Sequence, residues 1–179
     1  MNYRKESMEF TKAIVYQFDP IPQKAPFYDG SGGPFRYAKM SRLLELHEAG
    51  GTVGYIPCSP IMESTILPLI LTGEKKTYEE WRHRIYWQCR NAGFSGETAG
   101  EVGRIDYCMI DILAKRAGMP AHRFLGADRD YVTVYGSGGS IHLEGKALAE
   151  EMEHFLSYGH KTVKMKVAGY FGTTLERDL

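Results

Sequence analysis

Residues 131–167 show a strand–helix–strand pattern, which restricts the folds open to this part of the chain. Tyr131–Tyr135 is a strand pattern, Glu144–Tyr158 carries apolar side chains at helical spacing, and Thr162–Val167 is again a strand pattern. Two strands joined through a helix form a β-α-β unit, in which the strands run parallel. The later part of the chain is therefore expected to contain a parallel sheet or barrel.

The earlier part of the chain predicts a second kind of structure. Glu9–Phe18 and Thr52–Ile56 read as strands, Tyr37–Leu46 reads as a weaker strand, and Pro20–Pro34 reads as a long loop with an aromatic pair. Long loops in compact domains are usually functional or disordered. A domain boundary is expected in the loop 126–130.

Helix signals follow the third strand. Ser59 with Pro60 indicates a helix start, and Pro68 is expected to end or kink that helix. Two capping boxes, Thr77 with Glu80 and Thr98 with Glu101, predict the starts of two longer helices. Gly118 and Pro120 are expected to end the second of them. Three aromatic residues of the first long helix are predicted to pack in a core: Trp81, Tyr86 and Trp87.

Charge and composition exclude several kinds of partner. The 22 acidic and 22 basic residues among 179 give a net charge of zero, so neither a nucleic acid nor an anionic membrane is indicated. The longest apolar stretch, Ile66–Leu71, is too short to span a bilayer, and the amino terminus lacks a secretory signal pattern. Three widely spaced cysteines are typical of a reduced protein, so we expect a cytoplasmic location.

The triplet Lys164-Met165-Lys166 lies within the strand pattern 162–167 and carries the chemistry of interest. Alternate side chains of a strand point to opposite faces, so the two lysines share one face. Their Cα atoms are expected about 6.5 Å apart. A like charge nearby and desolvation both disfavour a charged lysine, and a neutral lysine at pH 7 can remove a proton. The alternative is an ordinary Lys-x-Lys pair on a solvated strand face.

The other candidate residues give weaker signals. Phe27 and Tyr28 stand on the long loop and are candidates for ligand contact. The glycine runs 30–33 and 136–139 do not complete a phosphate-binding fingerprint and read as turns. The six histidines form no metal-ligand pattern, and Asp106 and Asp111 read as structural residues.

The order of these segments resembles the amino-terminal part of the mandelate racemase and muconate lactonizing enzyme family, within the enolase superfamily. The resemblance runs from about Phe10 to Leu179. The stretches that carry it are Gly51-Thr-Val-Gly-Tyr55, the helix Ile105-Asp-Tyr-Cys-Met-Ile-Asp-Ile-Leu-Ala-Lys-Arg-Ala-Gly-Met-Pro120, Phe124-Leu-Gly126, Val132-Thr-Val-Tyr-Gly-Ser-Gly-Gly139 and Gly159-His-Lys-Thr-Val-Lys-Met-Lys-Val167.

The resemblance implies a fold and a set of roles. It implies an α+β capping domain over 1–126, followed over 127–179 by the first two strands and first helix of a modified (β/α) TIM-type barrel, truncated. Lys166 would be the base that removes the proton α to a substrate carboxylate, and Lys164 would tune it. Phe27 and Tyr28 would lie on the capping loop that closes over the substrate, and Ser137 would face the pocket.

The resemblance also implies a cofactor and partners. Mg²⁺ is expected in the intact enzyme, with its ligands beyond Leu179, so no metal ligand is assigned in this chain. The expected partner is a small carboxylate substrate of a racemase, epimerase or acid-sugar dehydratase, and a homo-oligomer is expected. The chain departs from the family where Ile56 and Pro57 replace the usual Gly-Glu after Tyr55.

Three functions remain open at this point. The first is the amino-terminal part of such an enzyme, inactive by itself. The second is a non-catalytic anion-binding or interaction module, in which the lysines only hold an anion. The third is a degenerate, inactive relative. A continuation of the reading frame with regularly spaced Asp and Glu at strand ends would favour the first.

Overall fold

The structure is a computed structural model that describes residues 2–37, 42–173 and 176. The strands are, in chain order, β1 (Ser7–Gln17), β2 (Pro22–Asp29), β3 (Gly32–Tyr37), β4 (Arg42–Glu48), β5 (Val53–Pro57), β6 (Lys75–Thr77), β7 (Gly136–Ser137) and β8 (Val163–Lys164). The α-helices are α1 (Leu67–Ile70), α2 (Tyr78–Cys89), α3 (Gly96–Arg116), α4 (Ala121–Phe124), α5 (Gly145–Ser157) and α6 (Gly169–Gly172). Short 3₁₀ segments cover Tyr3–Lys5 and Arg90–Ala92, and a π-helical turn covers Met62–Ile66.

The chain divides into two compact units. Unit 1 consists of Met1–Asp19 and Met40–Asp128, and unit 2 consists of Pro20–Lys39 and Arg129–Leu179. Both contain strands and helices, so the described chain is an α+β structure. The predicted division into a capping domain over 1–126 and a barrel domain over 127–179 remains a prediction.

A four-stranded antiparallel sheet forms the frame of unit 1, in the order β5-β4-β1-β6. Alternating residues of β1 and β4 point into the core, and the side chains of Met8, Phe10, Leu44 and Leu46 are buried. The strands predicted at 9–18 and 52–56 are confirmed as β1 and β5. Of the strand predicted at 37–46, residues 42–46 lie in β4, and residues 38–41 lie outside the described residues.

Helices α2 and α3 supply most of the remaining core of unit 1. Trp81 and Ile85 of α2 are buried at helical spacing, as are three residues of α3: Ile105, Met109 and Ile112. A Cβ atom at Gly54 of β5 would lie 2.7 Å from the Cys108 Sγ atom and 3.0 Å from the Ile112 Cγ1 atom. Glycine therefore lets β5 approach α3 closely.

The aromatic residues of α2 differ in their burial. The prediction that they pack in a core is confirmed for Trp81, but it is wrong for Tyr86 and Trp87, which are 48% and 45% exposed. Both lie off the helix face that carries Trp81 and Ile85, so that face cannot bury them. Asp106 accepts a hydrogen bond from the Tyr78 hydroxyl (2.6 Å), which is consistent with its expected structural role.

One of the two predicted capping boxes is confirmed. The Thr77 hydroxyl accepts a hydrogen bond from the Glu80 N–H (3.2 Å), and the Glu80 carboxylate accepts one from the Thr77 N–H (2.7 Å). The box predicted at Thr98 and Glu101 is wrong, because α3 begins at Gly96, two residues before Thr98. Glu101 is instead fully buried and forms an ion pair with Arg104.

Pro68 does not end its helix, and the kink predicted as the alternative remains a prediction. The Ser59 side chain accepts a hydrogen bond from the Ile61 N–H (3.2 Å) near the predicted helix start. The π-helical turn Met62–Ile66 then precedes α1, and Pro68 lies in the first turn of α1. A proline at this position needs no N–H partner within the helix, so the chain continues helical to Ile70.

In unit 2, the segment predicted as the loop Pro20–Pro34 is a β-hairpin. Strands β2 and β3 pair antiparallel in an irregular register, with Phe27 opposite Phe35 and Asp29 opposite Gly32. Proline is tolerated in a two-stranded ribbon because many backbone groups face away from the partner strand. The Asp29 carboxylate accepts hydrogen bonds from the Ser31 N–H (2.9 Å) and hydroxyl (2.6 Å), which stabilise the turn.

The β-α-β unit is confirmed in topology, but its strands are shorter and shifted. β7 and β8 pair in parallel, with α5 as the crossover. The strand predicted at 131–135 is wrong, because β7 covers only Gly136–Ser137, and the strand predicted at 162–167 is limited to Val163–Lys164. The side chains of Tyr131 and Val132 are 81% and 80% exposed. The described residues therefore do not cover this apolar segment.

The glycine run after residue 135 serves close packing. A Cβ atom at Gly136 would lie 2.5 Å from the Phe155 Cβ atom of α5, and one at Gly138 would lie 2.7 Å from the Phe155 Cε2 atom. A Cβ atom at Gly139 would lie 2.3 Å from the Met165 Cβ atom. These contacts, and not a turn alone, account for the glycines here.

Candidate functional site

The β2–β3 hairpin packs on the chain that leaves β7 and β8. The Tyr28 N–H donates a hydrogen bond to the Ser140 hydroxyl (2.8 Å), and the Tyr28 carbonyl accepts one from the Ile141 N–H (3.1 Å). At the hairpin tip, the Gly30 carbonyl accepts a hydrogen bond from the Phe171 N–H (3.0 Å). The hairpin is thus held at two places beside the carboxyl ends of the parallel strands.

Lys166 lies just beyond β8 and close to the hairpin. Its N–H donates a hydrogen bond to the Gly139 carbonyl (2.8 Å), which extends the parallel pairing past the end of β8. Its Nζ atom lies 6.0 Å from the centre of the Phe27 ring, at the outer limit of a cation–π contact. Lys166 is half-buried and lines a cavity of about 230 Å³ together with Ile141, Leu143 and Met165.

Lys164 has different surroundings. It is exposed, and its Nζ atom lies 5.9 Å from the centre of the Tyr135 ring. The described residues therefore do not supply the enclosed surroundings that the sequence analysis expects for the lysine pair. The roles of Lys164 and Lys166 remain predictions.

The structure brings only some of the predicted site residues together. Phe27 lies next to Lys166, whereas Ser137 is exposed and pairs across the sheet with Lys164. The Tyr28 ring meets the His142 ring edge to face, with the ring centres 4.9 Å apart. Tyr28 thus makes its contacts with the chain after β7.

A negative charge stands at the tip of the hairpin. The pKa of Asp29 is lowered, first by the hydrogen bonds from the Ser31 hydroxyl and N–H and further by the positive charge of Lys166. The lowered pKa favours the ionised carboxylate of Asp29, and the Ser31 hydrogen bonds contribute more to it than Lys166 does.

Sequence reasoning missed three polar residues that shape this site. The Ser140 hydroxyl lies 2.7 Å from the His142 Nδ1 atom, and the Glu151 carboxylate accepts a hydrogen bond from the Gly139 N–H (2.7 Å). The signal that could have revealed two of them is the run Gly139-Ser-Ile-His142. It places polar side chains directly after the first parallel strand, where sites of α/β proteins lie.

The described residues do not fit a metal centre. Among residues 2–37, 42–173 and 176, no group of three or more His, Cys, Asp or Glu side chains could hold a metal ion. No helix in the same part of the chain is long and apolar enough to cross a membrane. The predicted homo-oligomeric state and cytoplasmic location remain predictions.

Known proteins with similar sequences include dehydratases and a cycloisomerase. The chain is 25% identical over 146 residues to arabinonate dehydratase of Saccharolobus solfataricus, covering 75% of this chain and 38% of the relative. It is 26% identical over 157 residues to 3,6-anhydro-alpha-L-galactonate cycloisomerase of Streptomyces coelicolor, covering 88% of this chain and 40% of the relative. The chain thus spans well under half the length of these relatives. No family model matches it.

Solved structures extend this similarity to the fold. A mandelate racemase/muconate lactonizing enzyme-like protein from Rubrobacter xylanophilus matches with a TM-score of 0.73 and 25% identity, over 94% of this chain and 48% of that one. L-talarate/galactarate dehydratase from Salmonella typhimurium, liganded with Mg and L-lyxarohydroxamate, matches with a TM-score of 0.71 and 22% identity, over 96% and 47% of the two chains.

These matches first define a class of protein. Dehydratases and cycloisomerases are lyases or isomerases, so the chain resembles an enzyme family of these classes. Its structural neighbours include a mandelate racemase/muconate lactonizing enzyme-like protein. The resemblance predicted from the sequence is confirmed.

Proposed function

We propose that the chain is the amino-terminal part of an enzyme that removes the α-proton of a small carboxylate substrate, with Lys166 as the base. The observation that carries this proposal is the position of Lys166: it is half-buried at the end of a parallel strand, beside the Phe27 ring of the hairpin. The ends of parallel strands are where barrel enzymes place their catalytic residues. The dehydratases and racemases among the similar proteins support the same reaction class.

The proposed step moves one proton. The bond between the substrate α-carbon and its hydrogen breaks, and its electron pair moves towards the carboxylate to give an enediolate. The proton goes to the Lys166 Nζ atom, which must be neutral beforehand. In a dehydratase, the enediolate then expels a β-hydroxyl group, which takes up a proton from a partner acid outside the described residues and leaves as water. In a racemase, such a partner acid gives a proton to the opposite face of the α-carbon, and Lys166 keeps the proton that it removed.

We assign supporting roles to four other residues. Lys164 is the proposed neighbour that tunes Lys166, although it is exposed within the described part of the chain. Phe27 and Tyr28 are proposed to contact the substrate from the hairpin, and Ser137 from the first parallel strand. The hairpin contacts at Ser140 and Ile141 support this arrangement, because they hold Tyr28 at the strand ends.

The capping domain, the truncated barrel and the Mg²⁺ cofactor belong to the same proposal. Neighbouring structures with bound magnesium support Mg²⁺ for this group of proteins. The described residues do not fit a metal site, so the proposed ligands lie outside them. The exposure of Tyr131 and Val132 supports further barrel strands that would cover these side chains.

Exchange of the substrate α-proton with deuterated solvent tests the proposed base. The polypeptide to use includes any in-frame continuation of the coding sequence, and the substrates are a panel of acid sugars. We expect Lys166→Ala to slow exchange on one face of the α-carbon by about 10²- to 10⁴-fold, the usual contribution of a general base. Lys161→Ala, which removes an exposed lysine of the same segment, is the matched control. Equal exchange rates in the two variants would exclude Lys166 as the base.

The 179-residue polypeptide alone is expected to be inactive. Two short parallel strands cannot close a barrel, so most of the pocket wall would be missing. Turnover of any acid sugar by the pure polypeptide, verified by mass, would contradict this expectation.

Two observations favour a second function. The exposed Lys164 and the cavity beside Lys166 suit a non-catalytic module that holds a small anion. Binding of an acid sugar without any α-proton exchange, in the extended polypeptide, would favour that function.

A further inference from the structure

The chain after β7 holds the hairpin through a pair of polar residues, Ser140 and His142. Ser140 is 5% exposed, and buried hydroxyl groups require hydrogen-bond partners. Its oxygen accepts a hydrogen bond from the Tyr28 N–H (2.8 Å), lies 2.7 Å from the His142 Nδ1 atom, and lies 3.3 Å from the Tyr28 carbonyl oxygen. One side chain therefore connects the hairpin backbone to a histidine.

The position of Tyr28 in the hairpin explains why this contact is needed. Phe27 and Asp29 pair with β3, and the backbone groups of Tyr28, between them, bond to the chain after β7. An exposed strand edge leaves such groups to solvent or to a partner. Ser140 and Ile141 are the partners of Tyr28, and the Gly30 carbonyl at the hairpin tip is bound separately by the Phe171 N–H.

His142 contributes in two ways. Its Nδ1 atom faces the Ser140 hydroxyl, and its ring packs edge to face against the Tyr28 ring at 4.9 Å. If the His142 Nδ1 atom carries no hydrogen, the Ser140 hydroxyl can donate a hydrogen bond to it. If Nδ1 carries a hydrogen, the hydroxyl can accept from Nδ1 and donate to the Tyr28 carbonyl. His142 thus fixes the rotamer of Ser140 in either case.

We propose that Ser140 and His142 are positioning residues that hold the β2–β3 hairpin in place, with Phe27 over Lys166. Phe27 directly precedes the residue that they bind, and its ring centre lies 6.0 Å from the Lys166 Nζ atom. Neither residue needs to touch the substrate. The consequence for catalysis rests on the proposed function, whereas the docking of the hairpin does not.

Hydrogen exchange of single amides tests the docking directly. The method is deuterium exchange read by mass spectrometry with fragmentation, applied to the complete encoded polypeptide. We expect Ser140→Ala to accelerate exchange of the Tyr28 amide about tenfold, the factor that corresponds to one lost hydrogen bond. The Gly138 and Lys166 amides, which bond within the parallel pairing, are expected to keep their wild-type rates.

Two substitutions separate the contributions of His142. His142→Asn keeps a polar atom near the position of Nδ1 and is expected to leave the Tyr28 amide within about twofold of wild type. His142→Phe keeps the ring but loses the polar atom, and is expected to accelerate exchange severalfold. His154→Phe, at an exposed histidine of α5, is the matched control and should change nothing at Tyr28.

Each other outcome overturns the proposal. An unchanged Tyr28 amide in Ser140→Ala would show that the hydroxyl does not hold the hairpin. Equal acceleration at Tyr28, Gly138 and Lys166 would show a general loss of structure instead of a local release. Equal effects of the Asn and Phe variants would show that the His142 nitrogen plays no part.

A kinetic measurement tests the consequence for the reaction separately. If the wild-type polypeptide that includes any in-frame continuation exchanges the α-proton of an acid sugar, Ser140→Ala in that polypeptide is expected to raise KM about tenfold and to change kcat less than KM. A loss of kcat at unchanged KM would contradict a positioning role. Absence of exchange in the wild type would reject the proposed function, and the amide rates would still decide whether the hairpin is held in this way.

Discussion

The two units of the chain use similar sequence patterns with different results. In unit 1, alternating apolar residues of β1 and β4 meet two long helices and are fully buried, as Phe10 and Leu46 show. In unit 2, the alternating pattern Tyr131–Tyr135 forms no strand, and Met165 and Val167 are 45% and 51% exposed. An apolar alternation therefore makes a strand only where a partner strand and a covering layer are present.

The buried core and the candidate functional site therefore lie in different units of the chain. The buried cluster that includes Trp81, Ile105 and Met109 lies entirely in unit 1. The candidate site, with Lys166 and the hairpin, lies in unit 2, whose helix α5 has no fully buried residue. Substitutions in unit 1 should therefore act on the free energy of unfolding, whereas those in unit 2 should act locally.

The largest effect is expected from the core of unit 1. Trp81 is fully buried, and its indole N–H donates a hydrogen bond to the Met8 carbonyl (3.0 Å). We expect Trp81→Ala to lower the free energy of unfolding by about 3–5 kcal/mol, as is usual for a large aromatic residue in a core. Urea denaturation measures this change.

Trp87 provides the matched control for that experiment. It lies on the same helix but is 45% exposed, and its ring contacts Arg90 at 4.5 Å. We expect Trp87→Ala to cost less than about 1 kcal/mol. Similar losses for the two tryptophans would contradict the placement of Trp81 in the core and of Trp87 at the surface of unit 1.

Much of unit 1 could be predicted from the sequence because its signals are local. The Thr77–Glu80 capping box needs only residues three positions apart, and the apolar face of α3 repeats within a few turns. The capping box predicted at Thr98 and Glu101 does not form, so a local pattern alone does not fix where a helix begins. Glu101, three residues later, is buried and pairs with Arg104 instead of closing the helix start.

The candidate site could be predicted only in part, because it depends on distant pairs. Tyr28 and Ser140 are 112 residues apart, and no local pattern shows that they bond. The prolines of the hairpin 22–37 indicated a loop, since the sequence does not reveal which backbone groups face away from the partner strand. The sequence indicates Lys164 and Lys166 because they are only two residues apart. It does not show that Lys166 is half-buried whereas Lys164 is exposed.

A smaller effect is expected at the helix crossover of unit 2. A Cβ atom at Gly138 would lie 2.7 Å from Cε2 and 2.9 Å from Cζ of Phe155. We expect Gly138→Ala to destabilise the packing of α5 by about 1–3 kcal/mol, as overpacking usually does. Faster hydrogen exchange of α5 amides measures this loss, and amides of β4 in unit 1 serve as the reference.

Two further variants decide whether the cost at Gly138 is steric. Phe155→Ala removes the atoms that the new methyl group would meet, so the double variant should cost less than the two single variants added together. Gly100→Ala, in α3 of unit 1, meets no atom within 4 Å and is expected to stabilise the chain by about 0.5–1 kcal/mol. Additive costs in the double variant would exclude a clash with Phe155.

The smallest effect is expected at the surface of unit 1, and it depends on pH. Hydrogen bonds from Lys76 and then Arg84 lower the pKa of Glu74 from 4.5 to about 2. A carboxylate with a lowered pKa in the folded state stabilises the fold above its ordinary pKa, and this contribution is lost as the pH falls towards 2. We expect Glu74→Gln to lower the melting temperature slightly at pH 7 and not at all at pH 2. Because the groups are exposed, salt should weaken the effect at pH 7, and a larger loss at pH 2 than at pH 7 would contradict the proposed ion pairs.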